Sequence, residues 1–151
     1  MNNQQLSRIE LYTDGACSVN PGPGGWAFIV RYSNGVEKVD SGGKKDTTNN
    51  IMELMAVVQG VQSLSEKHYI RLFTDSMYVG DGIIKWRHSW KRNGWKRRDG
   101  QQIKNLELWK LLDDLLSGHM IAFTHVHGHS GHIENERCDR LAVAATQLYK
   151  V

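Results

Sequence analysis

Ile9, Leu11 and Thr13 alternate with Glu10, Tyr12 and Asp14. That is the two-residue period of a strand. The run closes on Asp14-Gly15, and glycine permits a sharp turn, so Asp14 is expected at the carboxyl end of its strand. A second apolar run, Tyr69 to Phe73, ends in the same way, in Thr74-Asp75-Ser76. Between them, Trp26 to Tyr32 and Val36 to Ser41 are strand-like, and Ser33-Asn34-Gly35 carries the Asn-Gly hairpin signal. Asn20-Pro21-Gly22-Pro23-Gly24-Gly25 is a turn by composition. The chain is thus predicted to open with three antiparallel strands.

The period then changes. Asp46 to Asn50 is rich in capping residues, and Leu54, Val57, Val58, Val61 and Leu64 follow at helical spacing. Glu53 falls on the shoulder of that stripe, where it has an alternative reading as a capping-box glutamate reaching back to Asn50. Met77 to Trp90 is predicted helical, with Gly80 and Gly82 against it and Asn93-Gly94 ending it. Asn105 to Leu116 is a further helix, with Leu108, Leu111, Leu112 and Leu115 on one face and Ser117-Gly118 as its stop. Met120 to Val126 is a last strand, and His127 to Gly131 a loop. The closing helix presents Cys138, Leu141, Ala142, Ala145, Leu148 and Tyr149, with Asp139 flanking that face.

The order β-β-β-α-β-α-α-β-α predicts an α/β fold. Its five-stranded mixed sheet has three antiparallel strands and then parallel ones, with helices on both faces. If the Asp14 and Asp75 strands lie parallel and adjacent, both acids project into one crevice at the carboxyl edge of the sheet, where open α/β sheets bind ligands.

Composition places this fold in a class. The chain has 151 residues, 40% hydrophobic and 23% charged, which is ordinary for one globular domain spanning 1–151. No basic, apolar leader and no membrane-length apolar run is present, and Cys17 and Cys138 form neither a metal pair nor a disulfide framework. These features predict a cytoplasmic monomer without a membrane partner. The net charge is +3, yet Lys85 to Lys104 alone holds eight basic residues against Asp99, a local +7 that leaves −4 for the remainder. A basic protrusion at about 85–104 on an acidic body suits a polyanionic partner. Trp86 and Trp90 share a face within it; Trp90 and Trp95 have the alternative role of packing that segment onto the body.

Asp14, Glu53, Asp75 and Asp139 each end a predicted strand or flank a buried helix face. Singly, each reads as a turn or cap residue. Collected in one crevice, paired carboxylates repel and raise each other's pKa unless a cation lies between them. Four hard oxygen ligands suit Mg²⁺ or Mn²⁺, and such a cluster can hold two ions roughly 3.5–4 Å apart, the arrangement used for in-line attack on phosphodiesters.

Five ordered motifs carry a resemblance across nearly the whole chain: Thr13-Asp14-Gly15 with Asn20 to Gly25, Thr47 to Leu54, Thr74-Asp75-Ser76, Gly128-His129-Ser130-Gly131, and Asn135-Glu136-Arg137-Cys138-Asp139. The chain resembles bacterial-type ribonuclease H, type 1. The resemblance implies hydrolysis of the RNA strand of RNA–DNA hybrids with Mg²⁺, or Mn²⁺ in its place, giving 5′-phosphate and 3′-hydroxyl ends. It implies catalytic and metal-holding roles for Asp14, Glu53, Asp75 and Asp139, and a loop histidine, His129, that assists proton transfer or product release. It also implies RNA-strand contacts at Cys17, Asn20 and Asn49, a DNA-phosphate pocket including Thr48 and Asn105, aromatic contacts at Tyr78 and Trp86, and hybrid binding by Lys91, Arg92, Arg97 and Arg98. Asp46 departs from the family pattern, standing where relatives often carry arginine.

Three rival readings are set beside this one. The histidines His125, His127, His129 and His132 have a spacing that suits zinc, but the run contains no acid and leaves Asp14 and Asp75 unexplained. A hybrid-binding module without activity has no use for the acid quartet. A transposase-like nuclease of the same fold shares the acids but not the Gly128-His129 loop together with the glycine-rich hairpin.

Overall fold

The computed structural model describes residues 6–127 and 132–150. Five strands, β1 (Ser7–Cys17), β2 (Gly22–Tyr32), β3 (Glu37–Thr47), β4 (His68–Thr74) and β5 (Met120–His125), form one sheet in the order β3-β2-β1-β4-β5. β2 pairs antiparallel with both β1 and β3, whereas β4 pairs parallel with both β1 and β5. The mixed topology agrees with the pattern of the sequence. The β2–β3 hairpin closes through Tyr32, whose N–H donates to Val36 O at 2.9 Å, while Asn34 Oδ1 accepts from the Val36 N–H at 3.0 Å.

Helices cover both faces. Against one face lie α1 (Asn49–Gln62), α2 (Met77–Asp81) and α4 (Leu106–Leu115), where Leu54, Val58, Val79, Trp109 and Leu112 meet Leu11, Phe28 and Leu72. Against the other lies α5 (Ile133–Leu148), where Cys138 and Ala142 meet Tyr12, Ala27, Ile29 and Phe73. Full burial of each such large side chain is worth about 1.5–3 kcal/mol, which is why alternation along β1 sends its odd and even residues to different cores.

The structure corrects several boundaries. β1 does not stop at Asp14 but continues through Gly15, Ala16 and Cys17, paired with β2 down to Gly24. The proline- and glycine-rich run after it is therefore half strand, because β2 begins at Gly22, with a register shift between Gly22 and Gly24. β3 starts one residue later than predicted and extends to Thr47, so Asp46 is a strand residue and Thr48 is the cap.

The Met77–Trp90 helix is real but composite: α2, a π-helical turn at Gly82–Trp86, then α3 (Arg87–Arg92). A Cβ at Gly82 would overlap the Trp109 ring. The glycine that argued against a helix is what lets the segment dock on α4. In α4 Leu112 is buried and Leu108 and Leu115 pack against the core as predicted, but Leu111 is 41% exposed, and Trp109 and Asp113 complete the buried stripe, with Leu116 buried just past the helix end. In α5, Leu148 is likewise exposed, and Thr146 takes the inward position, its hydroxyl donating to Ala142 O at 2.8 Å.

Candidate metal centre and nucleic-acid face

The parallel ladder between β1 and β4 ends at Tyr12 opposite Phe73, whose rings stack at 4.9 Å and 15°. Two residues further along each strand stand Asp14 and Asp75, above that aromatic floor. From here β1 keeps only β2 as a neighbour, so the sheet edge opens beside Asp14. α1 crosses the opening and delivers Glu53. Carboxylate oxygens of Asp14, Glu53 and Asp75 all lie within 4.8 Å of one another. Asp139, one helical turn beyond Asn135 on α5, acts on Asp14 both by charge and by a hydrogen bond.

Glu53 is not a capping-box residue. The cap of α1 is Thr48, whose Oγ1 accepts from the Ile51 N–H at 3.2 Å. Glu53 Oε1 is instead buried, with no hydrogen-bonding partner among the described residues.

The electrostatics follow from this crowding. Burial, the charges of Asp75 and Asp139, and the hydrogen bond with Asp139 push the Asp14 carboxyl up to about 8, against a single lowering hydrogen bond from the Gly15 N–H. Burial, then the charges of Asp14 and Asp75, hold Glu53 well above the usual carboxylate range. None of the ion pairs among the described residues involves these acids. A cluster of oxygen acceptors that runs from buried Asp14 to exposed Asp75, with one orphaned oxygen and no ion-pair partner among the described residues, fits a hard divalent cation. Among the described residues no comparable histidine group exists: His125 meets His127 edge-on at 4.4 Å and its Nε2 lies 3.2 Å from Asp75 O, while His129 falls outside the described residues.

The residues expected to touch nucleic acid gather in two places. Asn20, Thr48, Asn49 and Asn105 line one depression of about 480 Å³, together with Lys104. Asn20 Oδ1 accepts from the Asn49 N–H at 3.3 Å, and Asn105, in a left-handed conformation at φ 59°, donates from Nδ2 to Tyr78 Oη at 3.0 Å. Cys17 borders this region through its thiol, which points at Val19 O (2.9 Å) and Thr47 O (3.6 Å). Asp46 is exposed on β3 and does not line the depression. Tyr78, Trp86, Trp90, Arg97 and Lys104 line a second, of about 390 Å³. Trp90 meets Trp109 edge-on at 5.5 Å and packs with Trp95 against the main core, whereas Trp86 is 38% exposed beside Tyr78.

The basic lobe is less free than its composition implies. Arg87 is buried and its Nη1 donates to Asp113 Oδ1 at 2.6 Å; Lys91 Nζ lies 3.0 Å from the other Asp113 oxygen. Burial pushes Asp113 up, but the hydrogen bonds from Lys91 and Arg87 outweigh it and hold the acid below its usual range. Arg97 pairs with Asp99 at 2.8 Å, while Arg92 and Arg98 are exposed. Asp113 lies outside the 85–104 segment yet neutralises two of its cations. The signal was present: an acid at i+4 from Trp109, inside a buried stripe, requires a cation. Both cysteines are free, and burial pushes the Cys138 thiol up to about 12, so it packs rather than reacts.

A sheet that opens over a carboxylate cluster, beside an aromatic and basic groove, fits a metal-dependent enzyme acting on a polyanion. The RNase H family model matches residues 7–147. A ribonuclease H of Rhodopirellula baltica is 53% identical over 145 residues, covering 93% of this chain and 92% of that protein. A ribonuclease HI of Brucella melitensis is 50% identical, covering 96% and 94%. The solved structure of LC9-RNase H1, a type 1 RNase H with the type 2 active-site motif, superposes with a TM-score of 0.86 at 31% identity over 99% of this chain and 76% of that one. LC11-RNase H1, solved in complex with an RNA/DNA hybrid, shares the fold at a TM-score of 0.72 and 19% identity, covering 93% of this chain and 97% of that one. The chain belongs to the ribonuclease H family, as a type 1, bacterial-type member, and is an endoribonuclease. Among the described residues no helix is long and apolar enough to cross a membrane.

Proposed function

We propose that this protein hydrolyses the RNA strand of RNA–DNA hybrids at the Asp14 crevice. One observation carries the reading: acids from β1, α1 and the turn after β4 place carboxylate oxygens within 4.8 Å of one another, Asp14 buried, Glu53 half-buried and Asp75 open to solvent, with no ion-pair partner among the described residues. Asp14, Glu53, Asp75 and Asp139 would hold Mg²⁺, with Mn²⁺ able to replace it. Bound there, one or two such ions supply a Lewis acid for the scissile phosphate and an acidified water as nucleophile. The protein's part is to fix the ligands and shape the cavity. Cleavage on the 3′-oxygen side leaves 5′-phosphate and 3′-hydroxyl ends. His129 assists proton transfer or product release.

The substrate face supports a hybrid rather than a uniform duplex. Cys17, Asn20 and Asn49, at the larger depression, offer small polar groups suited to reading a 2′-hydroxyl, the group that separates RNA from DNA. Thr48 and Asn105 suit a phosphate of the opposite, DNA strand, and Tyr78 and Trp86 its sugars and bases. The protrusion at 85–104 tracks the backbone through Lys91, Arg92, Arg97 and Arg98. The solved hybrid complex of a protein with this fold is in keeping with that reading.

The test is a cleavage gel on four substrates: a hybrid, a DNA duplex, an RNA duplex, and a hybrid with 2′-deoxy residues around one scissile phosphate. Only the RNA strand of the hybrid is expected to be cut, and not at the substituted site. Equal cleavage of duplex RNA, or of the substituted site, contradicts the proposal.

A further inference from the structure

Asn135 stands in the first turn of α5, four residues before Asp139. Its Nδ2 donates to Phe73 O at 3.0 Å, on the last stretch of β4 before Asp75. A carbonyl only accepts, so this bond fixes the amide: the NH₂ faces the strand and Oδ1 faces the other way. Oδ1 is buried and has no hydrogen-bonding partner among the described residues. Asn135 also lines the crevice with Thr13, Asp14, Asp75 and His132, around a small, partly open space of about 10 Å³. That is close to the room one water needs.

The chemistry of the lining says what the space takes. Oδ1 only accepts, and a carboxyl oxygen of Asp14 or Asp75 that carries no proton accepts as well, while the Thr13 hydroxyl of the same lining can donate or accept. Acceptors facing one another across a one-water space need a small molecule that donates two hydrogens. We propose that Asn135 is a positioning residue that holds one water in this crevice. The water donates one hydrogen to Asn135 Oδ1 and the other to a carboxylate oxygen of Asp14 or Asp75. The same amide then does two things. Through Nδ2 it ties the first turn of α5, and with it Asp139, to the end of β4. Through Oδ1 and the water it sets the rotation of a carboxylate, leaving that carboxylate's other oxygen free to hold a cation. Such partners behind metal ligands commonly change metal affinity 10–100-fold. The inference rests on the reading of the crevice as a divalent-cation site.

Two measurements test it. The first follows Mg²⁺-dependent thermal stabilisation of the parent and of Asn135→Ala, with Mg²⁺ alone as the probe. The half-saturating Mg²⁺ concentration is expected to rise about 10-fold, while KM for a hybrid changes little. The second is a high-resolution crystal structure of the metal-free parent, expected to show a water within hydrogen-bond distance of Asn135 Oδ1. An unchanged half-saturation in a folded Asn135→Ala protein overturns the proposal, and so does an Oδ1 with no such water. If Asn135→Ala does not fold, the crystal decides alone. If the parent itself shows no Mg²⁺-dependent shift, the cation reading has failed, and this inference falls with it.

Discussion

Gly15 on β1 lies directly against the backbone of Glu53 on α1: a Cβ at Gly15 would overlap the Glu53 amide nitrogen. The missing side chain is what lets the helix approach closely enough to bring its carboxylate to Asp14. Gly15→Ala therefore forces α1 and β1 apart. Overpacking of this kind costs about 1–3 kcal/mol, and a shift of the order of 1 Å between catalytic groups costs about 10²-fold in rate. Denaturant melts and hybrid-cleavage rates should show both losses, with the activity loss exceeding what the fraction unfolded accounts for.

The acids also set a pH dependence in the metal-free protein. Asp14 is raised to about 8 in the fold, and Glu53 is raised with it. Their unfolded values lie near 4. A raised group contributes stability that is fully present below the unfolded value and lost as the pH rises through the folded one. Burial lowers His119, which acts in the opposite sense and only below about pH 6.5. From about pH 7 to 8.5, then, stability in chelator should fall with rising pH. Mg²⁺ should remove that slope, because the ion favours the ionised carboxylates. Melting curves across this window, with and without Mg²⁺, give the answer; a flat profile in chelator contradicts the assignment.

Arg87 and Lys91 share Asp113 but differ in burial, so their substitutions should separate. Asp113→Ala leaves the Arg87 guanidinium buried and unpaired and should destabilise by about 3–5 kcal/mol. Lys91→Ala removes a side chain that is 62% exposed and should change stability by less than about 1 kcal/mol. Its effect belongs to binding: hybrid affinity should fall, and the salt dependence should flatten by up to about one counterion. Urea melts and salt-titrated binding of the two variants check the separation.

How much of this was legible beforehand depends on the physics of each element. The strands, the hairpin and α1 follow from periodicity, because alternation and helical spacing report directly on which face is buried. The acids could be named from where the runs end and from the ordered motifs. The extent of β1 beyond Asp14 was not legible. Gly15 reads as a turn by residue type, whereas its lack of a side chain serves the contact with α1. Gly82 misled in the same way, since a helix propensity does not register that Trp109 needs its space. On α4 leucine spacing marks Leu108, Leu112 and Leu115 but not Trp109 and Asp113, because an acid reads as solvent-facing until the cation buried with it is known. The state of Glu53, buried with an orphaned oxygen rather than capping α1, emerges only once α1 lies across β1. His129 falls outside the described residues, and its role rests on the motif.

The most direct measurement is on Asp14→Asn, which removes one charge and keeps the side chain's shape. Denaturation curves with and without Mg²⁺ are run beside a hybrid-cleavage assay. A neutral amide is a poor ligand for a hard cation, so cleavage should collapse. In chelator above about pH 8, where Asp14 is ionised, the variant should be no less stable than the parent, and stabler by about 1 kcal/mol, because a repelling, buried charge has gone. Mg²⁺ should stabilise the parent more than the variant, since a ligand stabilises the native state it occupies. A variant that lost several kcal/mol in chelator yet still cleaved the hybrid would make Asp14 a structural residue and would contradict the account.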